Sequence, residues 1–417
     1  MLRNDAATEG AGVRRTRDSL GYLGRRLALL GWLFVASPAA AATFYVDQLS
    51  DDDGACTPGA CSLREAALAA NALPGVDILE LAPGVHEMTL LGINESHGYT
   101  GDINFREPVE IRGSTHGRSI VDGNGIDGIF EFTPWANYQE HFKVTDMTLR
   151  GGKRGNHNGG AIAAEGGYLD LQRCIFEGNY AIQGGALALS NMESVIRDST
   201  FLNNQAGYGG AAIRRISLGV PFGLLVENTT FSGNAAQDLG GAIVSGGEGL
   251  LTIRSSTVVH SSAPFASAIY LEDSLPSQLV VQSTLLEGGC EWPGSTYPPT
   301  SLGGNLQNPG SSCNFDHPTD QTVADFGLGP LELSDNGYTH NLLPGSPAID
   351  AAAVCPERDQ RGAPRPQDGD GDGVALCDAG AYEAGTVNGL ADVPLLSPSG
   401  LLALAAMLAF LALLRLR

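Results

Sequence analysis

Apolar and polar positions repeat with a nearly constant period between about Phe142 and Gly289. Three copies are LDLQRCIFEGN (Leu169–Asn179), SVIRDSTFLNN (Ser194–Asn204) and LLVENTTFSGN (Leu224–Asn234), and two looser copies begin at Leu251 and Gln278. The bulky anchors of the five copies, 25, 30, 27 and 27 residues apart, are Phe176, Phe201, Phe231, Val258 and Leu285. A period in the twenties predicts a solenoid, whose units bury their apolar faces only against their neighbours.

The residue types within each copy predict strands and turns. The segments are short and interrupted by Gly and Asn, without long helical periodicity. Small residues recur two positions before the anchor at Cys174, Ser199, Thr229, Ser256 and Ser283. Three residues after the anchor come Asn179, Asn204 and Asn234, whose type tolerates left-handed backbone geometry and whose amides can bond from coil to coil. We therefore predict an all-β, right-handed parallel β-helix over residues 76–290, of the solenoid class that pectate lyases adopt.

A second motif alternates with the anchors. It reads GGAI or a variant at Gly159–Ile162, Gly184–Leu187, Gly209–Ala212 and Gly240–Ile243, and has degraded at Ala266–Ile269. Three of the five anchors also complete an FxxN tetrapeptide. These alternating motifs resemble those of the chlamydial polymorphic outer-membrane proteins. The resemblance implies a β-helical passenger region and says little about activity.

The segment 43–75 is predicted to close the first end of the solenoid. Ser62 and Glu65 form a capping box that opens a helix to about Leu73, and such a helix would cover the exposed first coil. The run Cys61–Ala66 matches the CSLREA N-terminal domain of secreted bacterial β-helix proteins. We interpret Arg64 and Glu65 as pairing and capping residues rather than catalytic groups.

The chain changes character after the last copy. Residues 291–340 are predicted to be irregular and loop-rich. The following segment 341–385 contains Gly345–Asp350, Asp359–Pro366 and Cys377–Glu383, and it resembles the choice-of-anchor Q region. That resemblance implies a C-terminal cap that closes the far end of the solenoid.

Both termini look like targeting segments. Residues 1–42 combine a basic start, the short apolar run Leu27–Val35 and small residues near Ala42, which is typical of a secretory signal and too short for a membrane span. Residues 386–417 resemble IPTL-type PEP-CTERM sorting tails, with a transmembrane helix predicted at Val393–Leu414. The resemblance implies an envelope sorting enzyme as partner, and a plain membrane anchor is the alternative. We expect a protein at the envelope or surface of a Gram-negative bacterium.

Cysteines and charge agree with export. Six cysteines fall into neighbouring pairs predicted to be disulfides, Cys56 with Cys61, Cys290 with Cys313 and Cys355 with Cys377, which implies an oxidising compartment. Cys174 is left over and is interpreted as a buried thiol. The net charge of −22 argues against nucleic acid as a partner.

One acidic run has the pattern of a calcium loop. Asp368, Asp370 and Asp372 alternate with glycines, as ligands of a hard cation do. Asp378 is the predicted fourth ligand because the position that normally supplies a closing Glu is Ala379. A solvated acidic loop without an ion is the alternative.

No catalytic constellation is evident. Asp146 and Asp198 share a repeat position but lie two coils apart, roughly 10 Å, beyond the window of about 6.5–9.5 Å for inverting glycosidases. Arg214 and Arg215 suit an anionic ligand, but we interpret them as exposed charges. We predict a non-enzymatic structural or binding module for glycans or matrix. The alternative is a polysaccharide lyase or glycoside hydrolase on the same fold, which would need acids and bases of adjacent coils to converge in one groove.

Overall fold

The computed structural model describes residues 41–385, apart from residues 94, 96, 135–139, 273–277 and 294–296. Residues 1–40 of the predicted signal peptide and the whole predicted sorting tail at 386–417 lie outside the described residues. Within the described part of the chain, no helix has the length and apolar character needed to cross a bilayer.

The described residues form one α-helix, α1 (Leu63–Asn71), and a long series of short strands. The first strands are β1 (Thr43–Val46), β2 (Asp77–Leu81), β3 (Gly84–Glu87), β4 (Ile103–Phe105), β5 (Val109–Arg112), β6 (Ser119–Asp122), β7 (Phe130–Phe132), β8 (His141–Thr145), β9 (Met147–Arg150), β10 (Lys153–Arg154), β11 (Ile162–Glu165) and β12 (Tyr168–Gln172). The central strands are β13 (Ile175–Glu177), β14 (Tyr180–Gln183), β15 (Leu187–Ser190), β16 (Glu193–Arg197), β17 (Thr200–Leu202), β18 (Gln205–Gly209), β19 (Ile213–Ser217), β20 (Leu224–Glu227), β21 (Thr230–Ser232), β22 (Ala235–Ala236), β23 (Ile243–Gly247) and β24 (Leu250–Arg254). The last strands are β25 (Thr257–Val259), β26 (Ile269–Leu271), β27 (Gln278–Gln282), β28 (Leu285–Glu287), β29 (Cys290–Glu291), β30 (Thr300–Ser301), β31 (Leu306–Asn308), β32 (Gln321–Thr322), β33 (Leu328–Ser334) and β34 (Gly337–Leu342).

Apart from β33 and β34, which form an antiparallel hairpin, these strands stack into parallel sheets that run along the solenoid. Sheet 1 has the order β1-β2-β5-β8-β12-β16-β20-β24-β27-β30, and sheet 2 the order β3-β6-β9-β13-β17-β21-β25-β28-β31-β32. Sheet 3 has the order β4-β7-β11-β15-β19-β23-β26-β29, and a short sheet β10-β14-β18-β22 lies between sheets 2 and 3 in the central coils. Each coil therefore passes through sheets 1, 2 and 3 in turn. The predicted all-β parallel β-helix is confirmed, but its sheets continue beyond residue 290 through β30, β31 and β32, so the segment 291–340 is less irregular than predicted.

Side chains of one kind stack on each other inside the coils. The rings of Phe176, Phe201 and Phe231 lie nearly parallel with centroids 4.7 and 4.8 Å apart. Asn179 and Asn204 are fully buried, and each donates its side-chain amide to the next asparagine in the ladder at 3.0 Å. The predicted amide ladder is confirmed. The left-handed residue lies one position earlier, at Gly178, Asn203 and Gly233, because the asparagines must point inward to reach each other.

The repeat pattern in the sequence places the strand pairing of two coils one residue away from the pairing in the structure. Val258 pairs with Leu286, not with Leu285, so Thr284 rather than Ser283 occupies the small inward position. Ile213 pairs with Leu187, so the third glycine block is Gly210–Ile213. Adjacent leucines and adjacent alanines are equally apolar, and only the hydrogen-bonded pairing decides which of them faces inward.

The N-terminal cap is built as predicted. Ser62 and Glu65 each accept a backbone N–H from the other, at 3.2 and 2.8 Å, which completes the capping box. The helix α1 ends at Asn71, two residues before the predicted end, and packs against β1, β2 and β4. Arg64 is fully buried and donates to Asp51 at 2.6 Å and to the carbonyls of Gly98 and Gly101. Its role is therefore structural.

The C-terminal segment, predicted as a cap, packs along the side of the solenoid on sheet 2. Thr230 on the outward face of sheet 2 donates to Gln360 at 2.7 Å, and Thr257 accepts the N–H of Ala381. A second apolar core lies beneath this segment, formed by Val259, Leu285, Leu306, Phe326, Leu342, Ala348, Ala379 and Ala384. The segment binds here because the outward positions of sheet 2 carry hydroxyl and apolar groups from Thr200 onward. Near the last coils, Trp292 and Phe315 pack against the main core instead.

The three predicted disulfides are present, and Cys174 is the free cysteine of the described chain. Burial raises the pKa of the Cys174 thiol to about 12, so it stays protonated at neutral pH. The interpretation of Cys174 as a packing residue is confirmed.

Candidate functional site

A cleft of about 420 Å³ crosses the outward face of sheet 3, and we call it the sheet 3 cleft. Strand pairing places Glu131, Ala163, Ala188 and Arg214 in one outward row on four successive coils. The two alanines form a low floor between the longer end residues Glu131 and Arg214. The row spans three strand spacings, or about 14 Å.

Polar groups line the sides of the sheet 3 cleft. A second outward row contributes Glu165, Ser190 and Ile216, and the wall toward the short sheet contains His157, Asn158 and Gln183. His157, Asn158 and Glu165 are exposed, whereas Gln183 and Ser190 are half-buried. The cleft is thus an open trough with an apolar floor and hydrogen-bonding sides.

A buried ionic cluster forms the Glu131 end of the cleft. Arg154 is 8% exposed and lies 3.0 Å from Glu131 and 3.7 Å from Asp127, and it also contacts Asp102. Burial lowers the pKa of Arg154 to about 10 and raises the pKa values of Asp127 and Glu131. The positive charge of the Arg154 guanidinium is therefore balanced by these carboxylates, and a ligand in the trough does not meet it as a free cation.

Arg214 and Arg215 are buried, so their interpretation as exposed charges is wrong. Arg214 is 7% exposed, lines the opposite end of the cleft and donates to Glu272 at 2.8 Å. Arg215 is 1% exposed and binds carbonyl groups of the neighbouring loops, among them those of Phe222 and Glu248. Long side chains at these positions pair with groups from other coils, which the sequence does not reveal.

The carboxylates of Asp146 and Asp198 do not form a catalytic pair. Both lie at the corner between sheets 1 and 2, where the intervening Arg173 binds Asp146. Asp198 accepts hydrogen bonds from Gln172 at 3.2 Å and Asn228 at 3.3 Å, and burial raises its pKa. Asp146 and Asp198 therefore bond neighbouring coils to each other at this corner.

A second groove of about 620 Å³ lies between this corner and the tip of the β33–β34 hairpin. Arg118 crosses it and donates to the carbonyl of Asp335 at 2.6 Å. The groove also contains the Asp146–Arg173 ion pair. Arg118 thus attaches the hairpin to the coils.

The acidic loop brings together three of its four predicted ligands. Carboxylate oxygens of Asp368, Asp370 and Asp372 lie within 4.8 Å of one another. Asp378 points elsewhere, because its two oxygens accept the backbone N–H groups of Asp350 and Ala384. Calcium binding by this loop stays a prediction.

Asp350 is the residue of this region that sequence reasoning missed. Burial raises its pKa to about 6, and the negative charges of Asp370, Asp378, Asp372 and Asp368 add to the effect. The side chain therefore lies in the electrostatic field of the acidic loop although it is distant in sequence.

The sheet 3 cleft was also missed, although the sequence contains a signal for it. The residue after each glycine block faces outward: Ala163, Ala188, Arg214 and Val244 in successive coils. The small residues Ala163 and Ala188 followed by the long Arg214 indicate a trough, once the strand pairing of the third glycine block is known.

The chain is similar to a repeat-family model and to a solved structure. The model of the Chlamydia polymorphic membrane protein (Chlamydia_PMP) repeat matches residues 228–246, which include the third anchor and the fourth glycine block. No curated protein sequence matches the chain. The solved structure described as "Crystal structure of pectate lyase Pel9A" is similar with a TM-score of 0.37 at 12% identity, over 83% of this chain and 97% of that chain. The protein is a parallel β-helix by its strand order, and its residues 228–246 are similar to the polymorphic membrane protein repeat.

Proposed function

We propose that this protein is an exported, surface-displayed β-helix that binds glycans without cleaving them, and that the sheet 3 cleft is the binding site. The observation that carries the proposal is the outward row Glu131–Ala163–Ala188–Arg214, which makes an open trough across four coils. A trough that extends across four coils suits a ligand longer than a single sugar ring.

The residues of the cleft suit a hydroxyl-rich ligand. The side chains of Asn158, Gln183 and Ser190 supply donors and acceptors along the walls. The methyl groups of Ala163 and Ala188 leave room for a sugar ring and offer an apolar floor to its C–H face.

A second candidate, a polysaccharide-cleaving enzyme, is favoured by one observation. Glu131 and Glu165 line the same cleft, and burial raises the pKa of Glu131, as in general acids of glycosidases. Against it, the carboxylate of Glu131 lies 3.0 Å from the buried guanidinium of Arg154. Binding without cleavage is therefore the function that we propose.

The test is retention of the purified full chain on immobilised neutral and acidic glycans, with release of new reducing ends measured in parallel. We expect retention without product, and loss of retention in Ala188→Trp, which fills the trough. Val195→Trp is the matched control, since Val195 faces outward on sheet 1 of the following coil. Product release that disappears in Glu165→Gln would establish the enzyme instead, and equal retention by Ala188→Trp would remove the cleft as the site.

Export and anchoring belong to the same proposal. The three disulfides and the polymorphic membrane protein repeat support a protein outside the cytoplasm. We propose that residues 1–42 direct export and that the tail at 386–417 attaches the protein to the membrane or is read by an envelope sorting enzyme. Truncation at Asp392 should release the protein to the medium, whereas persistent membrane association would contradict the anchoring role.

A further inference from the structure

We infer that the sheet 3 cleft selects uncharged glycans over polymers of uronic acids, with Glu165 as the specificity-determining residue. The inference rests on the proposed function, since it names the ligand class of the same site. The supporting observation is that the arginines at the cleft form ion pairs with carboxylates of the protein.

Every arginine at the cleft is bound by a carboxylate. Arg154 contacts Asp102, Asp127 and Glu131, and Arg214 binds Glu272. Arg106 lies 4.0 Å from Glu131. Both cations that line the cleft are less than 10% exposed, at 8% for Arg154 and 7% for Arg214. A bound carboxylate would have to compete with these buried ion pairs for the same guanidinium groups.

The charges around the cleft sum to a negative value. The three cations Arg106, Arg154 and Arg214 face five carboxylates: Asp102, Asp127, Glu131, Glu165 and Glu272. The local charge is therefore +3 − 5, or −2, when all five carboxylates are ionised. A neutral sugar meets no repulsion there, whereas a uronate brings a further negative charge into a negative field.

Glu165 is the charged group that a ligand meets first. It is exposed at the end of β11, in the second outward row of the cleft, beside Ser190 of the next coil. Glu131, in contrast, points into the Arg154 cluster. The exposed carboxylate of Glu165 can accept hydrogen bonds from sugar hydroxyls and repels sugar carboxylates.

The test compares binding of the purified full chain to a neutral polysaccharide and to polygalacturonate at pH 7.5. We expect the wild-type protein to be retained by a neutral glycan and weakly by polygalacturonate. Glu165→Lys should strengthen polygalacturonate binding about fivefold, the effect of two charge units roughly 8 Å from a carboxylate in water. The gain should vanish in 1 M salt, where the screening length is about 3 Å. Glu177→Lys on sheet 2 of the following coil changes the net charge equally and should leave binding unchanged.

The failures of the two proposals are distinguishable. Wild-type protein that prefers polygalacturonate and loses it in Ala188→Trp would overturn the inference and leave glycan binding in the cleft intact. Equal gains in Glu165→Lys and Glu177→Lys would also overturn the inference, because the effect would then come from net charge. Absence of retention on every neutral and acidic glycan would overturn the proposed function, and the inference with it.

Discussion

Asp146 and Arg173 occupy the same corner of successive coils and form a two-pronged ion pair, with Nε–Oδ1 at 2.5 Å and Nη2–Oδ2 at 2.7 Å. Both residues have left-handed backbone geometry, with φ of 60° and 53°, as does Asp198 in the next coil. This ion pair thus attaches one coil to the next.

The first prediction concerns Arg64. Arg64→Ala should lower the free energy of unfolding by about 3–5 kcal/mol, because it leaves Asp51 buried and unpaired in the N-terminal cap. Chemical denaturation measures the change. Arg112→Ala is the control: its ion pair with Glu110 is 39% exposed on the arginine side, and its loss should cost less than about 1 kcal/mol. Equal effects of the two variants would contradict the structural role of Arg64.

The second prediction concerns the amide ladder. Asn204→Ala removes the acceptor of the Asn179 amide and leaves the buried carbonyl of Phe176 without its donor. We expect a loss of about 2–4 kcal/mol in unfolding free energy, since buried polar groups become unsatisfied. The neighbouring Asn203→Gly should change it by less than about 1 kcal/mol, because Asn203 is exposed and glycine adopts its φ of 54° freely. If Asn204→Ala leaves the free energy of unfolding unchanged, the amide ladder adds no stability.

The third prediction separates backbone geometry from close approach. Gly178 and Gly184 have φ values of 62° and 63°, but an added Cβ meets nothing at Gly178 and overlaps the carbonyl oxygen of Leu187 at Gly184. Gly178→Ala should therefore cost about 1 kcal/mol, the strain of a left-handed alanine. Gly184→Ala should cost clearly more, measured by thermal unfolding. Similar losses would mean that the coil can shift to accommodate the methyl group.

The fourth prediction is a pH dependence from Asp350. Its folded pKa of about 6 lies above the ordinary value of 3.8, so the native state binds more protons than the unfolded state between these values. The contribution of Asp350 to stability is therefore present at low pH and is lost as the pH rises through about 6. Asp350→Asn should be more stable than the wild type at pH 7.5 and lose this advantage near pH 4. A difference that does not vary with pH would contradict the raised pKa.

The fifth prediction tests the acidic loop. If Asp368, Asp370 and Asp372 hold calcium, then Ca²⁺ should raise the melting temperature at pH 7.5, because binding to the native state adds to stability. Asp370→Asn should reduce the effect, and it should shrink the pH dependence that Asp350 produces. Calorimetric titration measures the binding directly. If Ca²⁺ leaves the melting temperature of the wild type unchanged, the segment is an acidic loop that binds no ion.

Much of the fold was predictable because every coil of a solenoid has a similar cross-section, so the same pattern of residues recurs along the chain. The inward phenylalanines, the Asn179–Asn204 amide contact and the capping box of Ser62 and Glu65 all depend on local spacing. Errors arose where neighbouring residues have the same polarity, as at Leu285 and Leu286. In such places the hydrophobic pattern is unchanged by a slip of one residue, and only strand pairing distinguishes the two registers.

The sequence by itself determined the coil, most of its inward positions and the capping box, because these follow from residues at fixed local intervals, and it determined the three disulfides because each cysteine pairs with its neighbour in the chain. Only the tertiary structure decided that the C-terminal segment lies along sheet 2, that Arg214 is buried against Glu272, and that Glu131, Ala163 and Ala188 align into a cleft. These features join residues from different coils and loops of unequal length. Their contacts depend on the final stacking of the coils, which no single repeat encodes.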